Sequence, residues 1–419
     1  MPIAHQERQG PAHQHARAAA SATTALFDLE DGNHQNGLAT GGPTSNNPPM
    51  NGPSHIPDQA ELLARVDAIT PLLNDTAAAS EQRRSLCPEA VSALHKQGLF
   101  RLWTPQEVGG YDVDLETQVA VMMRVAEADM SACWTMMIGN TVTGVLGSCL
   151  SETGLAEVFT GPDMAVAAGS LKPAGRAAPV AGGYRVNGIW EFGSGIHHAG
   201  WISASCLCAP DAQDVYPMSL AIPVSEVTVH DDWHVAGLSG SGSSTYEVKD
   251  VFVPDHRAFA REARRGSSRT GNPGPRIPLE HASVALGGAR RALNEVADLA
   301  QTKRRLIENK TMAAKPEVQL ELGKLNAEWQ TLAAGVREAA RQLEVDYDSP
   351  SVAAELHGVC AITNERCVVI GERCLRLAGA GAVHSSNVLQ RVFRDLTVSA
   401  QHYMVSDMAY TQLGKLRLG

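Results

Sequence analysis

The chain has 419 residues, enough for two or three domains of roughly 100–200 residues each. Its 35 Lys and Arg against 45 Asp and Glu give a formal charge of −10 and a pI near 5.8, so no global basic field attracts nucleic acid or an anionic membrane. No apolar stretch reaches the ~18 residues of a membrane span and no basic segment followed by an apolar core opens the chain, which reads as a soluble, cytoplasmic protein.

Residues 1–55 are rich in Gly, Asn, Pro, Ala and His, with one short apolar patch at Leu26–Leu29. Such a segment buries too little surface to offset its ordering entropy, which predicts a disordered tail. His5, His13, His15 and His34 within it are irregularly spaced, as incidental polar residues rather than metal ligands. From Pro57 to about Val158, Leu62, Leu63, Val66, Ile69 and Leu72 recur at three- and four-residue steps, and Leu115–Ala128 does the same. A helical domain over 56–163 follows, interrupted by a short extended piece between Gly98 and the Gly109-Gly110 turn.

Past Met164 the texture changes to short β-rich runs broken by glycine: Ala165–Ala168, Tyr184–Val186, Trp201–Leu207, Met218–Ile222 and Val248–Val253. These predict a β domain over 164–268. Gly266–Pro278 reads as a polar linker, and Leu279–Ala300, Pro316–Leu343 and Ser351–Leu377 are long helix-periodic runs that make 269–419 a helical domain. The class is therefore α+β, ordered helices, sheet, helices, without an internal repeat.

Of the eight cysteines, Cys87, Cys133 and Cys149 are scattered and Cys206 and Cys208 alternate as in a strand. Cys360, Cys367 and Cys374 recur every seven residues, which puts them on one helix face. Without paired C-x-x-C units, and with only His357 nearby, they read as buried small apolar residues and no metal site is expected.

Several local sequences, in order, resemble the acyl-CoA dehydrogenase superfamily across residues 57–419. Leu102-Trp-Thr-Pro-Gln-Glu-Val-Gly-Gly110 is similar to a turn in that family's first domain. Tyr184-Arg-Val-Asn-Gly-Ile-Trp190 resembles its middle-domain hairpin, and Gly237–Gly242 with Val248-Lys-Asp-Val-Phe-Val-Pro254 resembles the strand closing that domain. The resemblance implies an N-terminal helical domain, a middle β-barrel or sandwich and a C-terminal four-helix bundle.

Two sites depart from the dehydrogenase pattern. The stretch Arg394-Asp-Leu-Thr-Val-Ser-Ala-Gln-His402 has no acidic residue after Asp395 and ends in histidine, whereas a dehydrogenase needs a carboxylate to take the proton α to the thioester. Phe192-Gly-Ser-Gly195 followed by His198-Ala199 resembles the loop of the two-component flavin monooxygenase branch. That branch takes reduced flavin from a separate reductase and hydroxylates aromatic substrates.

The branch implies catalysis through a C4a-hydroperoxyflavin formed from O2 and FMNH2 or FADH2, acting on a phenolic or indolic compound. Ser194 would hydrogen-bond flavin N5, the alternative being an ordinary loop serine. His402, as a group titrating near neutral pH, would donate a proton or act as base, the alternative being a satisfied core histidine. Asn140 would face substrate or oxygen. Trp134 would pack on the flavin, with a plain core role equally open, and Trp233 would lie near it.

Arg305, read on a helix, would bind the flavin phosphate or lie on a solvated face. Gly379 and Gly381 would approach flavin from a neighbouring subunit. His197 and His198, facing opposite ways in a strand, make a metal pair improbable. A homotetramer is implied. The rival readings are an acyl-CoA dehydrogenase with its base moved to Glu355, Glu365 or Glu372, and a non-catalytic member of the fold.

Overall fold

The computed structural model describes residues 52–160, 165–209, 215–261, 265–305 and 308–419. The predicted tail over 1–55, apart from its end, and its four histidines lie outside the described residues. No helix among the described residues is long and apolar enough to cross a membrane.

The first helices are α1 (Gln59–Arg83), α2 (Pro88–Lys96), α3 (Leu115–Ala128), α4 (Met130–Cys149) and α5 (Glu152–Val158). A capping box starts α1: the Asp58 carboxylate accepts from Glu61 N and the Glu61 carboxylate from Asp58 N, satisfying two helix-end donors. Helix α4 is buried on nearly every face, as its apolar and small residues allow.

The piece from Gly98 to Gly110 is a folded loop rather than a strand. Its backbone turns back so that Tyr111 N donates to Arg101 O at 2.7 Å and Val113 N to Leu102 O at 3.0 Å. Gly110 is required because a Cβ there would overlap the Thr104 carbonyl.

Seven strands follow: β1 (Ala167–Val180), β2 (Gly183–Gly193), β3 (Trp201–Cys208), β4 (Tyr216–Pro223), β5 (Thr228–Val229), β6 (Ser244–Pro254) and β7 (Ala258–Phe259). They form one sheet in the order β5-β6-β2-β1-β3-β4-β7, antiparallel throughout except between β1 and β3. The expected barrel or sandwich thus takes the form of a single sheet, with a register shift in β1 between Ser170 and Gly175. Trp190 and Tyr246, opposite each other on β2 and β6, stack at 5.4 Å and 9° as the centre of its core.

After a one-turn helix α6 (Ser268–Gly271) come α7 (Ile277–Thr302), β8 (Arg304–Arg305), β9 (Glu308–Thr311), α8 (Pro316–Val345), α9 (Pro350–Ala378), α10 (Val388–Ser399) and α11 (Asp407–Leu418). Helices α7, α8, α9 and α10 pack together, and α11 lies on α9. Gly266–Pro278 is no free linker. Arg276 within it is fully buried, 4.3 Å from the Trp103 ring centroid and ion-paired with Glu280. Burial still holds that guanidinium down, to a pKa of about 10.

Helix α10 is tied to the loop before β6. Leu238 N donates to Asp395 Oδ1 at 2.6 Å, and the Arg394 guanidinium donates to Ala236 O at 2.7 Å and to Glu81 on α1 at 2.5 Å. A Cβ on Gly237, between those contacts, would overlap the Arg394 carbonyl. Gly237→Ala is therefore expected to cost about 1–3 kcal/mol through forced backbone displacement, read as a lower urea midpoint; an unchanged midpoint would show that the loop can leave α10 freely.

Burial raises Asp395 to a pKa of about 7; Leu238 N–H, Arg391 and Arg394 pull the other way and Asp129 adds to the rise. The folded state thus keeps a proton that an unfolded aspartate with a pKa near ~3.9 has lost. Its stabilising contribution is complete below that value and is lost as pH rises through about 7. Asp395→Asn keeps an acceptor for Leu238 without that loss, so the melting temperature of the variant minus that of the wild type should become more positive between pH 5 and pH 8. A difference independent of pH would refute this.

Candidate active site

Four elements bring the central residues together. Trp134 comes from the second turn of α4, Ser194 from the loop after β2, and His402 from the segment after α10. His281, the fourth, lies near the start of α7 and was not singled out in the sequence. The indole Nε1 of Trp134 donates to Ser194 Oγ at 3.1 Å. The Trp134 ring meets His281 edge-on at 5.0 Å and His402 at 6.3 Å, and the two imidazoles stack at 4.0 Å and 29°. The series ends at Tyr403, 4.9 Å from His402 and 49% exposed.

Ser194 is positioned by an unusual backbone. Phe192 before it has φ 64, which lets Ser194 N donate to Phe192 O at 2.9 Å, and Gly195 after it has φ 75. Phe192 itself is 65% exposed and meets Trp233 edge-on at 6.3 Å. Ser194 Oγ lies 2.6 Å from Ser243 Oγ, which lies 2.8 Å from Ser241 Oγ, and Ser241 Oγ donates to Leu238 O at 2.7 Å. The loop held by Asp395 therefore reaches Ser194 through a file of hydroxyls.

His402 is not on a helix, because α10 stops at Ser399. It caps the short turn Tyr403–Val405, its Nδ1 accepting from Met404 N at 3.4 Å. The expectation that it titrates near neutral pH is not met: burial first, then the neighbouring His281, hold its pKa well below the ordinary value. At pH 7 it is a neutral imidazole.

Burial likewise lowers His281 to about 4, although the Ile277 carbonyl favours its charged form. That carbonyl, 2.8 Å from Nδ1, can only accept, so Nδ1 carries the hydrogen and Nε2 is a bare acceptor. Nε2 is buried and has no partner. An orphaned buried acceptor costs stability, and its place between Trp134 and His402 makes His281 a candidate for a ligand contact. A lone histidine amid Leu279–Leu286 was the only signal in the sequence, and it reads equally well as core.

Asn140 does not join this cluster. Its amide donates to Leu99 O at 2.7 Å and to Met136 O at 2.9 Å and accepts from Leu102 N at 2.9 Å. Both hydrogens are thus spent, one on the loop at 99–102 and one on α4 itself, which leaves no group to deliver a proton. Trp233, half-buried, donates from Nε1 to Leu238 O at 3.3 Å. Arg305 lies in β8 rather than on a helix, because the backbone turns extended at Lys303 after α7; its side chain is outside the described residues.

Gly379, with φ 70, opens a short turn after α9, and nothing within 4 Å would meet a Cβ on Gly381. Lys303 Nζ donates to Ala378 O at 2.5 Å beside that turn. His197 and His198 sit in a 3-10 turn, bonded separately to Ser244 at 3.2 Å and Ser85 at 2.9 Å. No group of three or more metal-binding side chains occurs among the described residues, and all eight cysteines are free and buried. A groove of about 410 Å3 between α1, α3, α7 and α8, lined by Arg124, Arg290, Trp329 and Arg341, shares no residue with the Trp134 cluster.

The N-terminal and C-terminal domain families of acyl-CoA dehydrogenases match residues 58–154 and 279–407. Among curated proteins, the chain is 30% identical over 376 residues to the oxygenase subunit HsaA of a flavin-dependent monooxygenase from Mycobacterium tuberculosis, covering 80% of this chain and 94% of that protein. It is 27% identical to the oxygenase component of an FADH2-dependent resorcinol hydroxylase from Rhizobium sp., covering 88% and 98%. Among solved structures, XiaF from Streptomyces sp., in complex with FADH2 and glycerol, superposes with a TM-score of 0.77 at 26% identity, covering 86% of this chain and 96% of that one. The chain belongs to the acyl-CoA dehydrogenase superfamily, in its branch of flavin-dependent monooxygenase oxygenase components.

Proposed function

We propose that this protein hydroxylates a small phenolic or indolic compound, using reduced FMN or FAD supplied by a separate reductase. The reading rests on the cluster of Ser194, Trp134, His281 and His402, in which every polar group is neutral at pH 7 and buried, or for His402 half-buried, against aromatic rings. Such a site suits a flat aromatic cofactor and a flat aromatic substrate and keeps water from the reacting groups. When bound, reduced flavin supplies electrons to dioxygen, one oxygen atom going to the substrate ring and the other to water.

The residues divide the remaining work. Ser194 Oγ offers a hydrogen-bond contact to flavin N5, and the exposed Phe192 with Trp233 offers an aromatic edge to the ring system. Lys303 and the turn at Gly379 and Gly381 offer backbone and charge to the flavin phosphate, and Arg305, on β8 two residues after Lys303, is a further candidate for it. Neutral His402, with its hydrogen on Nε2, can donate to oxygen. His281 Nε2 can accept from the O–H or N–H of the substrate, a contact that rejects rings lacking such a group. Exposed apolar side chains on the C-terminal helices, among them Ile362, Met408 and Leu418, support assembly of copies there, with a homotetramer as the expected form.

The rival dehydrogenase reading is poorly supported. Glu355 pairs with Arg417 at 3.5 Å, Glu365 accepts from Tyr410 at 2.8 Å and Glu372 pairs with Arg376 at 2.7 Å, while the Asp395 carboxylate is taken by Leu238 N. None of these carboxylates belongs to the Trp134 cluster. For the monooxygenase reading, the Ser194→Ala and His402→Ala proteins should yield roughly 10–100-fold less hydroxylated phenol or indole per reduced flavin consumed, with hydrogen peroxide replacing product. Wild-type coupling in both would remove these residues from the mechanism.

A further inference from the structure

The hydroxyls behind Ser194 have only one arrangement of hydrogens. Three oxygen pairs lie in file: Ser194 Oγ to Ser243 Oγ at 2.6 Å, Ser243 Oγ to Ser241 Oγ at 2.8 Å and Ser241 Oγ to Leu238 O at 2.7 Å. At such separations each pair needs a hydrogen between the oxygens, and the file contains three hydroxyl hydrogens. The Leu238 carbonyl can only accept, so the Ser241 hydrogen goes to it. Ser243 must then donate to Ser241, and Ser194 to Ser243.

The consequence falls on Ser194. Its hydrogen is committed away from the site and one lone pair of its oxygen receives the Trp134 Nε1 hydrogen at 3.1 Å. What remains to a ligand is a single lone pair on the oxygen of a residue that is 4% exposed. All three serines are buried, so water cannot readily substitute for a missing partner. The acceptor at the end of the file, Leu238 O, is held in place by two further donors, Ser241 N at 3.0 Å and Trp233 Nε1 at 3.3 Å, and Leu238 N is bound to Asp395.

We propose that Ser241 and Ser243 are positioning residues that make Ser194 an obligate acceptor and so set the preference of the site for reduced over oxidised flavin. The inference rests on the reading that Ser194 meets flavin N5. Reduced flavin carries a hydrogen on N5 and donates it to the waiting lone pair. Oxidised flavin has a bare N5 lone pair there, which would face the Ser194 lone pair without a hydrogen between them. The file therefore discriminates by the protonation of one atom, without a charged group. It gives an oxygenase that borrows its cofactor a way to take the reduced form and release the oxidised one.

Removal of Ser243 or Ser241 frees the Ser194 hydrogen to turn toward the ligand. In Ser243→Ala the acceptor for that hydrogen is gone; in Ser241→Ala, Ser243 can donate back to Ser194 and release it. Both substitutions remove a single oxygen and leave the backbone bonds intact.

The test is the ratio of dissociation constants for oxidised and reduced flavin, measured with FMN and with FAD by anaerobic titration on wild type and on the Ser243→Ala, Ser241→Ala and Ser194→Ala proteins, with circular dichroism to confirm folding. The wild type should favour reduced flavin by at least about tenfold, and both relay variants should lower that ratio by about tenfold, chiefly by binding oxidised flavin more tightly. Ser194→Ala should bind the two forms alike. A ratio unchanged in both relay variants but collapsed in Ser194→Ala overturns the relay and leaves the flavin contact of Ser194 standing. A reduced-flavin affinity unaffected by Ser194→Ala overturns that contact, and the relay with it.

Discussion

The bond from Leu238 N to the buried Asp395 carboxylate is the constraint on which the arrangement of the site depends. It joins the C-terminal helices to the loop that precedes β6, and the serines of that loop back up Ser194 at the same end of the β2–β6 pair. Arg394 adds a second grip on Ala236 and a third on Glu81 of α1, so helices from both ends of the chain and the sheet meet at one place. Gly237 is the residue that permits such close approach. Any displacement of α10 would therefore move Ser194 and His402 together.

Charge is kept out of the cluster itself. His281 and His402 are both held neutral by burial, and stacking at 4.0 Å penalises putting a proton on either. Trp134 and the serine file supply directed N–H and O–H dipoles in place of ions. In a dry site such dipoles act strongly and need no reorganisation when charge develops on a substrate. The formal charges instead sit in the framework, as in the buried Arg276 and Glu280 pair that docks α7 against Trp103. The cost of burying that pair is offset by the ring face and by a closely matched partner.

Much of this was legible in the chain. The change from helical periodicity to β-rich runs broken by glycine and back marked the order helices, sheet, helices, and Phe192-Gly-Ser-Gly195 and the histidine at 402 marked two sides of the candidate site. Local pattern failed where long-range contacts decide. A histidine in the apolar start of α7 looks like core until His402 is found stacked on it, and Asn140 looks like a polar site residue until its amide is found supporting the 99–102 loop. The Gly266–Pro278 stretch has linker composition, yet one arginine in it finds Trp103 and becomes buried. Arg305 leaves its expected helix because the extended backbone of Lys303 starts a two-stranded turn. The serine file was invisible because it needs an order of hydrogens, not a spacing.

Incorporation of labelled oxygen separates hydroxylation by this protein from simple oxidation of its flavin. The wild-type protein, supplied with reduced flavin and 18O2, would be given phenol, resorcinol and indole, and the products weighed by mass spectrometry. A monooxygenase yields a hydroxylated product carrying one 18O atom, with the second appearing in water. Product oxygen drawn from water, or consumption of oxygen only to hydrogen peroxide with all three compounds, would contradict the monooxygenase reading.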